Sequence, residues 1–244
     1  MKIHTLFLSL TLLPLLLLNA CKKEEETPAM PETGTVSDVD GNSYKTVKIG
    51  NQWWMAENLK TTKYRNGASI LSVTNDMEWS NLEKGAYCLY DNVTENNGVY
   101  GRLYNWFAIN DSNNLAPVGW HIPSDAEWKT LEIELGMSQS EADNLGWRGN
   151  NEGEKLKIKA PLGWTRVSPV WGSNTSGFTA LAGGCRLFNG TWADPGLFAS
   201  GFWWSSSVHS NHEAWYRYLD KKNSNVYRAH TYKNYGFSVR CVKD

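Results

Sequence analysis

The chain has 244 residues, and its 24 basic and 25 acidic side chains nearly cancel, which argues against a nucleic-acid footprint or a polybasic membrane patch. At 41% hydrophobic and 20% charged residues it can bury a core, so the disordered and collagen-like classes drop out. The unusual quantity is aromatic: 13 Trp, 11 Tyr and 7 Phe, each able to bury on the order of 150–250 Å².

Lys2 and the apolar run from Leu6 to Leu18, interrupted by Ser9, Thr11 and Pro14, read as a secretory signal over residues 1–20. A spanning helix needs about 20 apolar residues, and Pro14 would kink one. Leu18-Asn19-Ala20-Cys21 resembles a bacterial lipobox, although Asn19 is less usual there than Ala or Ser. The resemblance implies a lipid on Cys21 and a membrane as partner. Residues 21–34 carry Lys22-Lys23-Glu24-Glu25-Glu26 and then Thr and Pro, which cannot build a core and read as a solvated tether. The same charge run resembles the signal that sends Bacteroidetes lipoproteins to the outer face of the outer membrane, so surface exposure there is the expected location.

From residue 35 to 244 there is no second linker, which predicts one domain. Asp38 to Asn42, alternating Tyr44, Thr46 and Lys48, then Ile49-Gly50-Asn51-Gln52 predict strand, turn, strand, turn, strand. Asp38-x-Asp40-Gly41-Asn42 also looks like the start of a calcium loop, but the twelfth position, where a Glu is required, is Ile49. The turn is preferred. Leu103, Trp106, Phe107 and Asn110 at helical spacing predict a helix over 100–109. Ser124 with Glu127 forms a capping box ahead of Trp128, Leu131 and Leu135, with Gly136 as the stop. Ser138 with Glu141 predicts a second, shorter helix to Leu145. Beyond Phe178 the period changes to two, and strands are predicted over 179–187, 202–206, 214–219, 226–232 and 237–242. Alternation puts Trp203 and Trp204 on opposite faces, and separates Trp215, Arg217 and Leu219 from Tyr216, Tyr218 and Asp220.

With Cys21 lipidated, Cys88, Cys185 and Cys241 remain in an oxidising compartment as disulfide candidates. Three is odd, so one stays free or pairs between chains. A pair involving Cys241 would clamp the last strand. No CxxC spacing supports a zinc site, and no metal or cofactor is expected.

Several strings resemble one family, the Fibrobacter succinogenes major paralogous domain: Asp40-Gly41-Asn42, Tyr44 to Gln52, Trp54-Met55-Ala56-Glu57-Asn58-Leu59, Gly119 to Trp128, Ser176 to Leu181, Trp203-Trp204-Ser205-Ser206 and Gly236 to Asp244. The resemblance runs in order from about Val36 to the last residue. More distantly, Pro123 to Trp128, Gly183-Gly184 and the closing Gly-Phe and Arg-Cys are similar to landmarks of the formylglycine-generating family, whose fold is related to C-type lectins. That likeness implies an α+β, C-type lectin-like fold, with two or three helices packed on a twisted, mostly antiparallel sheet with long loops. Ala116 and Cys185 stand where the family often has Cys and Tyr, which implies that a usual disulfide partner is missing or moved.

Three functions are weighed. A copper oxidase similar to the formylglycine enzyme needs two adjacent thiols, and Cys185 and Cys241 are the candidates; iron oxidases need clustered His. His209-Ser210-Asn211-His212-Glu213 reads as solvated loop and His121 as a packing residue. No nucleophile elbow or phosphate loop is present, so a non-enzyme is expected. A binding module for glycans is favoured by the aromatic excess, with Trp192, Trp203, Trp204, Tyr216 and Tyr218 as the candidate ligand-binding residues. The third reading is adhesion or assembly through contacts with envelope proteins.

Overall fold

Turn chemistry organises the first layer. β1 (Thr33–Ser37), β2 (Ser43–Ile49) and β3 (Gln52–Met55) form the expected antiparallel meander. β1 begins at Thr33, so two residues assigned to the tether are strand. Asp38 Oδ1 accepts from the N–H groups of Asp40 and Asn42 at 3.0 and 2.9 Å, and Oδ2 accepts from the Tyr44 hydroxyl at 2.5 Å. Asp40 accepts from the Thr62 N–H and hydroxyl at 2.6 and 2.8 Å. Both carboxylates are thus engaged in holding the turn. The computed structural model describes Met1 and residues 31–159, 164, 172–193 and 196–244; the signal-like segment and Cys21 lie outside the described residues. Among the described residues no helix is long and apolar enough to cross a membrane.

A three-stranded sheet follows, of β4 (Leu71–Ser72), β5 (Ala86–Cys88) and β6 (Leu103–Tyr104), with β4 and β5 parallel. Around it lie α1 (Asp76–Ser80), α2 (Asn96–Tyr100) and α3 (Trp106–Ile109). The single helix expected over 100–109 is therefore corrected to strand plus one helical turn. Tyr104 exchanges backbone hydrogen bonds with Phe237 at 2.8 and 3.0 Å, and Asn105 caps α3 while also accepting from the Ala86 N–H. Long-range pairing outweighs local periodicity there.

β7 (Trp120–His121) leads into α4 (Asp125–Glu134), where Ser124 and Glu127 form the predicted capping box. Gly136, with φ of 116°, lies just past its end, a conformation suited to glycine. α5 (Gln139–Asp143) carries the second box but stops before Leu145, because Asn144 is already extended. β8 (Gly146–Arg148) and α6 (Glu152–Leu156) come next.

The C-terminal half supplies β9 (Ser200–Val208), β10 (Glu213–Asp220), β11 (Val226–Tyr232) and β12 (Val242–Lys243). Two predicted strands are corrected. Residues 179–187 make only isolated bridges, since Thr179 and Gly184 take positive φ. Residues 237–241 thread between layers: Phe237 bonds to Tyr104, Ser238 to Phe202, Val239 to Leu59 and Cys241 to Met55. A segment that changes partner every residue builds no ladder.

The described part is mixed α+β with mostly antiparallel pairing. The sheets run β1-β2-β3-β12-β7, β8-β11-β10-β9 and β4-β5-β6. Trp204, Tyr104, Trp106 and Phe237 belong to one buried cluster; Trp54, Trp128, Phe178 and Trp203 to a second; Trp79, Cys88 and Tyr90 to a third. Trp203 and Trp204 do face opposite ways, but each way is interior.

Candidate functional site

The aromatic candidates separate by burial. Trp203 and Trp204 are 1% and 0% exposed, and their indole N–H groups donate to Asn58 Oδ1 at 3.0 Å and Tyr104 O at 2.8 Å. Neither can offer a face to a ligand, which corrects the expectation for both. Trp192 is half-buried and covers Arg186, whose guanidinium lies 5.0 Å from its ring and 4.6 Å from that of Trp79. Arg186 itself donates to Gly190 O, Val73 O, Thr74 O and Asp76. Trp192 therefore closes a buried cation on one side, a packing role that its turn-rich sequence context conceals.

Tyr216 and Tyr218 are half-buried on one face of the four-stranded sheet. They belong to a row that sequence reading missed. Tyr227 pairs with Trp147 and Tyr218, and Tyr218 pairs with Phe202, so one ring from each strand stands in register. Ring centroids are 5.2 Å apart for Trp147 and Tyr227, 5.7 Å for Tyr227 and Tyr218, and 4.5 Å for the stacked Tyr218 and Phe202. Burial pushes the Tyr216 and Tyr218 phenols up, so both stay protonated donors. Phe237 continues the row into the core, and Tyr235, Phe188 and Tyr232 carry it back out, at spacings of 5.5 to 5.7 Å.

The outer end of this series borders an open cleft of about 640 Å³, lined by Asn81, Glu83, Phe107, Asn211, Tyr232 and Asn234 among others. The floor is stitched from distant segments. Trp79 donates its indole N–H to Asn234 O at 2.8 Å, and Asn234 Nδ2 donates to Ser80 O and Phe188 O at 3.2 and 3.3 Å. Lys233 lies 4.6 Å over the Trp106 ring and donates to Asn211 O at 2.9 Å. Tyr232, 51% exposed, lines the cleft, and Phe188, 44% exposed, lies beside it with ring centroids 5.7 Å apart. The cleft thus combines amides, a carboxylate and an ammonium with the accessible ring of Tyr232, next to that of Phe188, the mixture that orients a polar, ring-shaped ligand. Its residues are scattered over more than 150 positions of chain, and no spacing in the sequence joins them.

The three thiols expected to form a disulfide are free and buried. Burial pushes Cys88 up to about 12, against a smaller opposing effect of Arg186, and raises Cys185 and Cys241 as well. A pair involving Cys241 is corrected: that residue packs in the first cluster and its segment is held by backbone bonds to Met55 and Leu59 instead. Protonated, buried thiols are poor nucleophiles and metal ligands.

The histidines also differ from expectation. His121 is half-exposed, not packed in the core, and its Nδ1 and Nε2 each lie 2.6 Å from a carboxylate oxygen, of Asp244 and Glu127. Burial lowers its pKa, but the two carboxylates outweigh that and raise it. The 209–213 segment is the tight turn between β9 and β10, and it brings His209 and Glu213 against His230 of β11. His230 stands 21 residues from His209 in the chain, and only the hairpin register reveals the cluster.

A family model described as Fibrobacter succinogenes major domain matches residues 47–243, which include every described element but β1 and the start of β2. No curated protein and no solved structure matches the chain.

Proposed function

The chain belongs to the Fibrobacter succinogenes major domain family, and from that premise we propose that it is a lipid-anchored, non-catalytic binding protein of the cell surface that holds glycans in the cleft between Asn81 and Tyr232. The observation that carries this reading is the composition of the cleft. Sugar hydroxyls need planar donors and acceptors, which Asn81, Asn211, Asn234 and Glu83 supply, while the apolar faces of pyranose rings need exposed rings, that of Tyr232 in the cleft and that of its neighbour Phe188. The volume of about 640 Å³ suits an oligosaccharide segment within the usual range of ligand sites. The C-type lectin-like likeness read from the sequence agrees with this use of long loops, as an argument from analogy. Anchoring rests on Leu18-Asn19-Ala20-Cys21, and the outer-membrane location on the charge run that follows it.

Retention of the purified protein by a panel of insoluble polysaccharides and glycan arrays tests the reading. Tyr232→Ala and Phe188→Ala are expected to weaken retention at least tenfold while the far-UV spectrum and unfolding midpoint stay close to those of the parent. Absence of retention by every polysaccharide, or retention that both variants leave intact, overturns it. For the anchor, Cys21→Ser is expected to move the protein out of the membrane fraction; a variant that stays there refutes lipidation at that residue.

A further inference from the structure

The hairpin turn beside the cleft carries a second, chemically different group. His209 follows β9 directly, Glu213 opens β10, and His230 lies in β11 opposite Trp215. Glu213 Oε2 is 3.4 Å from His209 Nδ1 and 3.0 Å from His230 Nδ1. The two imidazoles lie face to face, centroids 3.6 Å apart with 3° between their planes, so both Nδ1 atoms border the same carboxylate. All three donor atoms fall within 4.8 Å of one another. We propose that His209, Glu213 and His230 form a surface site for a divalent cation of the zinc class, with two imidazole nitrogens and one carboxylate oxygen as ligands and a fourth position open to water.

The donor set selects the ion. Imidazole suits zinc and its late first-row neighbours, whereas calcium and magnesium demand oxygen throughout. The separations fit as well, because a tetrahedron with bonds of about 2.0–2.1 Å has edges of roughly 3.3–3.4 Å. In the metal-free arrangement a single carboxylate oxygen faces two ring nitrogens, which assigns Nδ1–H to each ring. Binding the ion through Nδ1 displaces that proton, so each ligating ring carries its N–H on Nε2. It also requires the stacked rings to fan apart about their Cβ–Cγ bonds. Trp215 stands against both rings, 5.1 Å from His209 and 5.5 Å from His230, so the movement falls to His209, which is exposed in the turn, while His230 is held in mid-strand.

The turn and its neighbours are arranged for this. Ser210 Oγ accepts from the N–H groups of His212 and Glu213 at 3.3 and 3.2 Å, and the His209 and Ser210 N–H groups donate to Glu213 O at 3.0 and 3.1 Å, which fixes the approach of residue 209 to 213. The Arg228 guanidinium, 3.8 Å over Trp215, is bound bidentately to Asp125 at 2.9 and 2.7 Å, so its charge is already compensated. Three protein ligands with one open position is the pattern of a cation that can take a further oxygen ligand.

Isothermal titration of the purified, chelator-treated protein with Zn²⁺ tests the proposal, with Ca²⁺ as the comparison ion. One saturable Zn²⁺ site is expected. His230→Ala and the near-isosteric Glu213→Gln should each weaken it at least tenfold, and His121→Ala, which removes a His with two carboxylate partners elsewhere, should not change it. Imidazole ¹⁵N spectra should show His209 and His230 passing from the Nδ1–H to the Nε2–H form on Zn²⁺ addition. No saturable isotherm, equal binding of Ca²⁺, or binding unaltered in both folded variants overturns the site. None of these readouts involves polysaccharide, so the site and the glycan reading stand or fall separately.

Discussion

Along β10 the side chains of Arg217 and Leu219 turn toward α4, while Tyr216 and Tyr218 turn to the opposite face of the same sheet, and the two faces are built from different materials. On the α4 side three arginines and two carboxylates form a continuous lattice. Arg148 forks onto Glu132 at 2.7 and 2.8 Å, Arg217 bridges Glu132 at 2.6 Å and Asp125 at 2.8 Å, and Arg228 forks onto Asp125. All five residues are buried, Glu132 completely. On the other side four rings stand in register, partly in contact with water. The inner face shows that charged residues in a period-two strand need not mark the solvent side: a charge can be interior where each fork finds a carboxylate. The outer face shows the converse, that aromatic residues need not be fully buried where they shield one another edge to face.

The comparison breaks first at Glu132. Glu132→Ala leaves Arg148 and Arg217 buried without their shared partner, and removing one member of such a group costs about 3–5 kcal/mol. Urea denaturation of parent and variant measures it. A loss below 1 kcal/mol would mean that packing of Trp128 and Trp203, and not the lattice, holds this face to α4.

Acid should act on the same side through Asp125, and on the β1–β2 turn through Asp40. Burial raises the Asp125 carboxyl, but hydrogen bonds and charge from Arg228 and Arg217 outweigh it and leave the pKa well below the usual range. Asp40, raised by burial and lowered more by Thr62, Lys63 and Thr61, falls to about 2. Groups depressed in the folded state contribute stability that is complete above their unfolded pKa, near 3.8, and is lost as pH falls through the folded value. Denaturation midpoints should hold between pH 7 and 5 and drop steadily from about pH 4 downward. Glu132→Ala and protonation of Asp125 act on one network, so that part of the acid effect should be less than additive with the substitution, whereas the Asp40 part should add.

A smaller loss is expected on the outer face. Tyr218 stacks on Phe202 and touches Trp147 and Tyr227, yet it is only half-buried, so Tyr218→Ala should cost about 1–2 kcal/mol. The difference from the parent should change little between pH 7 and pH 4, because the ring contacts carry no carboxylate of the lattice and the one carboxylate the hydroxyl meets, that of Asp220, accepts from it only at 3.4 Å. A pH-dependent difference would show that the two faces are coupled through the strand.

The contrast also explains what could be read in the sequence. Capping boxes at Ser124 and Ser138, the turns at Asp38–Asn42 and Gly50-Asn51, and the three long strands are local devices, each specified within a few residues, and all are present in the structure. The alternation on β10 was legible for the same reason. What Trp203 or Trp192 touches was not, because Asn58 and Tyr90 come from remote segments, and Arg186, though only six residues from Trp192 across a tight turn, is fixed under its ring by the distant Val73, Thr74 and Asp76. Residues 237–241 looked like a strand because their composition suits one, while their backbone partners lie in four separate places. The cleft and the His209–Glu213–His230 cluster are likewise products of register and long-range closure. His209 and Glu213 were in view as one segment, read as solvated loop, but the approach of His230 to them was not.

The smallest expected effect discriminates most sharply between cleft and row. Trp147, 36% exposed, contacts Tyr218 at 5.3 Å and Tyr227 at 5.2 Å on the edge strand β8, so Trp147→Ala should cost about 0.5–1 kcal/mol. Its partner Tyr227 is five residues along β11 from Tyr232, about 17 Å at the rise of a strand. Retention by polysaccharide should therefore survive Trp147→Ala while Tyr232→Ala abolishes it. Should the order reverse, the row of rings across the four strands is the surface on which the sugar lies, and Tyr216 and Tyr218 regain the role that their sequence suggested. Because the stability change is small, a loss of retention in Trp147→Ala could not be ascribed to unfolding, and the position of the bound chain would follow directly from which end of the aromatic series it needs.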